Sequence, residues 1–392
     1  MKTTAKDFKM TELGPIPKDW EVKQVDEFAE VTTGNRNTQD AQSNGAYPFY
    51  VRSPIVERID DYSFDTAGVV TAGDGVGTGK IFHFVQGKFG LHQRAYLIYD
   101  FDGVDAKYFY WVFSRNFYDR IMQMTAKSSV DSVRREMITG MEIALPPLPE
   151  QRKIAAALSD VDEMIAALEK LIEKKRKIKT GAMQRLLTGK TRLPGFKGAW
   201  VEKRLGDCGE WIGGGTPSTQ NAEYWNGHIP WISSSDLEEG NVYHINKTRF
   251  ISESAVRNSA TSKCPQGALL IIARVGVGKV AIADKELCTS QDFSNLVVED
   301  KTDVRFLAYL LSVVMARMKE ATQGTSIKGV SLEDMKALAL ILPPTLAEQK
   351  AIAKVLGDMD DEIAALEAEL AKTRQLKQGM MQELLTGKVR LG

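Results

Sequence analysis

The sequence predicts an α+β protein. Two globules of mixed α/β structure are separated by two long antiparallel helices forming a coiled coil, with pseudo-two-fold symmetry. Three observations predict it. The segment from Glu150 to Leu193, EQRKIAAALSDVDEMIAALEKLIEKKRKIKTGAMQRLLTGKTRL, returns from Glu348 to Leu391 as EQKAIAKVLGDMDDEIAALEAELAKTRQLKQGMMQELLTGKVRL, at a constant offset of 198 residues without a gap. Within each copy, apolar residues recur at alternating spacings of four and three, as in a helical seam. The stretch before each copy has short β-rich runs, turn residues and one helical segment near its end.

Taken in order, the first globule covers residues 1–145 and the first constant region 146–193. The second globule covers 194–341 and the second constant region 342–392. GVVTAG and YLIYDF read as strands in the first globule, and AKYFYWVFSRNFYDRIMQMT as a helix. ALLIIARV, NLVVED and VRFLAYLLSVVMARMKEAT play the same parts in the second. The globules are weakly alike. Trp20 and Gly34 match Trp200 and Gly214, GDGVGTGK at Gly73 resembles RVGVGK at Arg274, and LHQRAYLI at Leu91 falls opposite TSQDFSNLVV at Thr289. AKSSVDSV at Ala126 similarly falls opposite QGTSIKGV at Gln323.

The constant regions read as rods. Their seams are Ile154, Leu158, Val161, Ile165, Leu168 and Ile172, then Ile352, Leu356, Met359, Ile363, Leu366 and Leu370. Pro147 and Pro149 suit a helix start, and Gly189 and Gly387 stand where a helix should stop. A rod of roughly 39 residues at about 1.5 Å each is on the order of 58 Å long. A lone helix would leave such a seam wet, so the rods should pair with each other. The first leaves the first globule for the second. The final one leaves the second globule and should run back, because its tail VRLG resembles TELG at Thr11. That makes the pair antiparallel.

Composition bounds the function. Lys+Arg and Asp+Glu both total 51 in 392 residues, so the formal net charge is zero. A non-specific coat for nucleic acid would be basic overall. The three cysteines, Cys208, Cys264 and Cys288, support neither a disulfide framework nor a zinc cage. No signal peptide or bilayer-spanning run is evident, which points to a cytoplasmic protein with no membrane partner.

Catalytic motifs fail one by one. GDGVGTGK lacks the Gly and the Ser or Thr that a phosphate loop needs, having Asp74 and Ile81 at those places. The second copy has Ala273 and Val280 there. Glu21-Val22-Lys23 reads as a solvated strand edge, since the second copy shifts the spacing to Glu202-Lys203. His83, His92, His228 and His244 show no metal-ligand spacing. The chain is expected to be non-catalytic by itself, with no metal and no cofactor of its own.

Binding chemistry is richer. GGGTPSTQNAEYWNGHIPWISSSDL, Gly213 to Leu237, and TTGNRNTQDAQSNG, Thr32 to Gly45, are hydroxyl-rich and amide-rich loops. Such side chains donate to phosphates and read base edges. In the first globule the candidates for touching DNA are Asn35, Arg36, Arg52, Lys80, His92, Gln93, Arg94, Lys127, Ser128 and Ser129. In the second they are Thr216, Ser218, Thr219, Ser233, Ser234, Ser235, Arg274, Lys279, Ser290, Gln291, Thr325, Ser326 and Lys328. Trp225 and Trp231 are expected to pack in the core. Lys170, Lys174, Lys175, Arg176, Lys177 and Lys179 on the first rod face either DNA phosphates, a partner or solvent.

At these residues the chain resembles a known family. LPPLPEQRKIA with LTGKTRLPGF, and LPPTLAEQKAIA with LTGKVRL, are similar to the two conserved regions of specificity subunits of type I restriction–modification systems. GGGTPS and YWNGHIPWISSSDL resemble the opening of their target-recognition domains, whereas the first globule departs from it with TTGNRN. The resemblance implies that each globule reads one half of a bipartite, asymmetric site on double-stranded DNA. It implies that the rods set the spacer and dock two methyltransferase subunits, with motor-nuclease subunits completing the restriction enzyme. S-adenosylmethionine, ATP and Mg would then belong to those partners. A coiled-coil adaptor joining two protein ligands is the alternative reading, and an enzyme with a cryptic site in the GVG loops is a weaker one.

Overall fold

The computed structural model describes residues 7–75, 77–124, 132–322 and 329–391. Two compact units emerge: Met1–Lys170 with Glu367–Gly392, and Leu171–Leu366. The divisions at 170 and 366 fall inside the rods. The reason is packing, since each globule's core includes the rod ends beside it.

The first unit opens with β1 (Phe8–Thr11), β2 (Gly14–Pro17), β3 (Glu21–Gln24), β4 (Glu30–Thr33) and β5 (Tyr47–Tyr50). Then come β6 (Glu57–Ile59), β7 (Phe64–Asp65), β8 (Gly68–Ala72), β9 (Phe82–Val85), β10 (Lys88–Leu91) and β11 (Ala95–Tyr99). Next are α1 (Ala106–Met124), α2 (Arg135–Thr139), β12 (Glu142–Leu145) and the first rod, α3 (Leu148–Leu186). One sheet has the order β4-β11-β8-β9 and another the order β6-β5-β10-β7, while β12 pairs with β3. Every residue of β8, GVVTA, is buried, so this strand reads as a continuous apolar run instead of an alternating one. Along α1, Phe109, Phe113 and Phe117 recur every fourth residue and stack at 5.2 and 4.3 Å, with Phe82 edge-on to Phe113 at 5.6 Å.

The second unit continues with β13 (Val201–Arg204), β14 (Gly209–Gly213), β15 (Ile229–Ile232), β16 (Phe250–Ile251) and α4 (Glu253–Arg257). It adds β17 (Lys263–Cys264), β18 (Leu269–Ile272), β19 (Val280–Ile282), β20 (Leu287–Thr289) and β21 (Phe293–Val298). α5 (Val304–Thr322), α6 (Leu332–Ala337), β22 (Ala339–Leu342) and the second rod, α7 (Leu346–Leu384), complete it. Its sheets run β14-β21-β18-β19 and β16-β15-β20-β17, with β13 on β22. This is the topology of the first unit from β3 onward; the antiparallel pair β1-β2 has no counterpart among the described residues of the second. Even the parallel pairing recurs, between β5 and β10 and between β15 and β20.

Both rods are 39 residues long. Ile154, Leu158, Leu168 and Ile172 are buried, with Val161 and Ile165 half-buried between them. Ile352, Leu356 and Ile363 are buried, and Met359, Leu366 and Leu370 half-buried. Within the first unit, Asp162 pairs with Lys377, and Glu169 with Arg374 at 2.5 Å. Within the second, Lys175 pairs with Glu362 at 2.5 Å, and Lys179 with Asp360. In each unit α7 numbers fall as α3 numbers rise, so the two helices pack antiparallel there.

Lys179 and Lys377 occupy matching seam positions, where a lysine would ordinarily be excluded. Each is paired with the aspartate just named, and each also caps a ring of its globule helix. Lys377 lies 4.6 Å from the Trp111 ring centre, and Lys179 lies 5.5 Å from that of Tyr309. This corrects part of the solvated-lysine reading: Lys175 and Lys179 bind inside the second unit, and Lys177 pairs with Glu173 on its own helix.

The repeated phrases meet at joints that cross the copies. In the first unit, Glu150 of the first LPPLPEQ takes a two-pronged hydrogen bond from Arg390 of the second LTGKVRL, at 2.7 and 2.7 Å. In the second, Glu348 takes the same fork from Arg192, at 2.8 and 2.6 Å. The adjoining glutamines do equal work. Gln151 accepts from Asp105 N–H at 2.8 Å and Gln349 from Asp303 N–H at 2.9 Å, fixing the starts of α1 and α5. Arg390 also grips Asp19, and this hydrogen bond holds the Asp19 carboxyl below its usual range against the opposing effect of burial. Past each rod, Gly189 (φ 68°) and Gly387 (φ 69°) adopt the left-handed conformation that lets the chain turn into the joint.

Candidate nucleic-acid interface

In the first unit, the predicted residues converge where the loops after β4, β8 and β10 meet. Arg36 bridges to His92 backbone to backbone, and Arg36 N–H donates to Leu91 O at 3.2 Å. Gly34 makes this approach possible, because a Cβ there would stand 2.0 Å from Leu91 O. The Gln93 amide donates to Asn37 Oδ1 at 2.5 Å, Ser63 donates to Asn35 at 2.9 Å, and Arg36 pairs with Asp61 at 2.5 Å. Arg52 and Arg94 both bind Asp74, at 2.5 and 3.1 Å. Burial pushes the Asp74 carboxyl up, but the hydrogen bonds and charges of the two arginines outweigh it and leave the pKa lowered.

His92 is turned inward. It is only 3% exposed, and its Nδ1 accepts Arg94 N–H at 3.0 Å. Burial, helped by the nearby Arg52 charge, lowers its pKa, in keeping with a ring nitrogen that accepts a backbone N–H. Lys80 sits at the far end of its loop, 5.0 Å from the Tyr118 ring centre.

The second unit fills the matching places with different chemistry. Thr216 donates to Gln291, tying the Gly214 loop to the turn after β20. Trp231 and Thr261 each donate to Gly215 O at 2.8 Å, which makes Trp231 a packed anchor, with Trp225 edge-on to it at 5.0 Å. Ser233 accepts from Arg249 at 2.5 Å and lies 2.9 Å from Ser235, and Lys279 donates to Ser234 O at 3.0 Å. Arg249 also pairs with Asp236 and covers the Trp231 ring. Ser218 offers its carbonyl to Trp225, and the Thr219 and Arg274 side chains are exposed. Ser290, opposite His92, is also buried, at 2% exposure. Lys127, Ser128, Ser129, Thr325, Ser326 and Lys328 lie outside the described residues.

Sequence reasoning missed Asp74, Asp61, Asn37, Asp236 and Arg249, which hold the predicted residues in place. Among the described residues no group of three or more His, Cys, Asp or Glu could hold a metal ion, and no helix is long and apolar enough to cross a membrane. Burial pushes the Cys264 and Cys288 thiols up, to about 12 and about 11, as in inert core cysteines.

The family profile described as "Type I restriction modification DNA specificity domain" matches the chain twice, over residues 17–180 and 197–376. The chain belongs to the type I restriction–modification DNA specificity family. Each match takes in one globule and most of the rod that follows it. The specificity subunit is 27% identical to the putative type I restriction enzyme MjaX specificity subunit of Methanocaldococcus jannaschii, over 98% of this chain and 97% of that protein. It is 29% identical to the EcoR124I/EcoR124II specificity subunit of Escherichia coli, over 48% of each. The crystal structure of a type I restriction–modification S subunit from M. genitalium superposes with a TM-score of 0.68 at 17% identity, covering 96% of this chain and 97% of that one. The fold is thus shared with a specificity subunit at low sequence identity.

Proposed function

We propose that the specificity subunit reads a bipartite, asymmetric site on double-stranded DNA, one half with each unit, and is non-catalytic by itself. The observation that carries this is a contrast. The sheets, rods and joints are built twice on one plan, while the loop side chains at matching positions differ: Arg36, Arg52 and Arg94 in one unit, Thr216, Ser234 and Asp292 in the other. A shared scaffold with dissimilar reading loops suits two different half-sites. The rods set the unread gap and dock two methyltransferase subunits, with motor-nuclease subunits completing the restriction enzyme. S-adenosylmethionine, ATP and Mg serve those partners.

Lengthening both rods by one heptad keeps the seam in phase and adds about 10 Å. At about 3.4 Å per base pair, the gap should grow by about three base pairs with both half-sites unchanged. Methylome sequencing of cells carrying the complete system reads this directly. Altered half-sites with an unchanged gap would refute the ruler.

A further inference from the structure

We propose that Arg94, positioned by Asp74, reads the guanine of a G·C pair in the half-site taken by the first unit. This rests on the reading of the chain as a DNA-specificity subunit and assigns a base class to one of its contacts.

Arg94 is the outermost member of the Arg52–Asp74–Arg94 cluster, its side chain 59% exposed against 24% for Asp74. One guanidinium nitrogen is held by Asp74, and the rest of the fork has no partner among the described residues. The main chain on both sides is fixed. Arg94 N–H donates to His92 Nδ1 at 3.0 Å, and Arg94 O accepts from Gly73 N–H at 2.8 Å. Asp74 is itself anchored, by Arg52 at 2.5 Å and by a backbone bridge to Ser132.

A carboxylate beside an arginine is a poor device for gripping phosphate, because it repels the very anion it would help to bind. It is a good device for fixing a planar fork, which guanine O6 and N7 demand and which a phosphate does not. Asp74 also offers an acceptor of the kind that suits cytosine N4, so the pair of side chains matches both partners of one G·C pair. The position opposite Arg94 in the second unit is Asp292, so this contact belongs to one half-site only.

The test selects duplexes from a random pool with the full chain and the methyltransferase subunit of its system. The parent should enrich a two-part motif with a guanine fixed at one position of one half. Arg94→Lys keeps the charge but loses the fork, and should reduce the preference at that position by about 5- to 150-fold with the other positions kept. Asp74→Asn should weaken the same position alone, as expected of a positioning residue. If Arg94→Ala weakens all sequences alike and flattens the salt dependence, Arg94 grips phosphate and the inference is overturned, although the two-part reading stands. Absence of any two-part motif in the parent would instead remove the reading beneath it.

Discussion

Glu348→Ala should lower the stability of the second unit by about 3 kcal/mol, the largest loss expected from any single side chain at the joints. The Glu348 side chain is 1% exposed and carries both prongs of the Arg192 fork. Breaking a buried pair by removing one partner costs about 3–5 kcal/mol, because the other charge is left buried and uncompensated. Arg192 is 25% exposed and keeps the carbonyls of Lys197 and Gly198, which places the loss at the lower end. For a unit of this size the melting transition should fall by about 6–12 °C. Glu150→Ala should cost less, since Arg390 retains Asp19 as a second carboxylate. Calorimetry on the two variants tests this, and a melting shift under 2 °C for Glu348→Ala would show that the joint is not a structural fastener.

Gly214→Ala should be the next most damaging change, and Gly34→Ala its counterpart. A Cβ at Gly214 would stand 1.9 Å from Ser290 O and 2.6 Å from Thr289 Oγ1, and one at Gly34 would stand 2.0 Å from Leu91 O. The nearest obstacle is backbone in both cases, so no side chain can rotate away. Relief requires separating the loop after β4 or β14 from the turn after β10 or β20. Overpacking of this kind costs about 1–3 kcal/mol, and backbone contact puts these two at the upper limit. The loops lost are the ones that present Arg36 with Gln93, and Thr216 with Gln291. Hydrogen exchange should show faster opening at Gly215 N–H, which donates to Thr289 O at 2.8 Å. Unchanged exchange there would contradict the close-approach account.

The rods were the most legible part of the molecule in sequence, because a seam of alternating threes and fours declares itself locally. The strands GVVTAG and ALLIIARV were nearly as plain, each being apolar at all but one position. The joints were half legible. Their phrases stand out by repetition, but that Glu150 meets Arg390 and Glu348 meets Arg192 follows only once the second rod is seen to return. The site was least legible. Asp74 joins Arg52 and Arg94 across 22 and 20 residues, and Arg249 reaches Ser233 across 16, with no local pattern to announce either. The burial of His92 and Ser290 was illegible for a related reason. They follow buried strands at the edge of a loop, and polarity alone does not say whether such a residue turns inward.

The central claim is that each unit owns one half of the recognised site. Exchanging residues 1–145 for the corresponding part of another family member, with a carboxylate kept opposite Arg390 where Asp19 now stands, tests it most directly. Sequencing the methylated bases of cells carrying the complete system should show one new half-site, with the other half and the gap retained. Persistence of both original half-sites would contradict the division of labour.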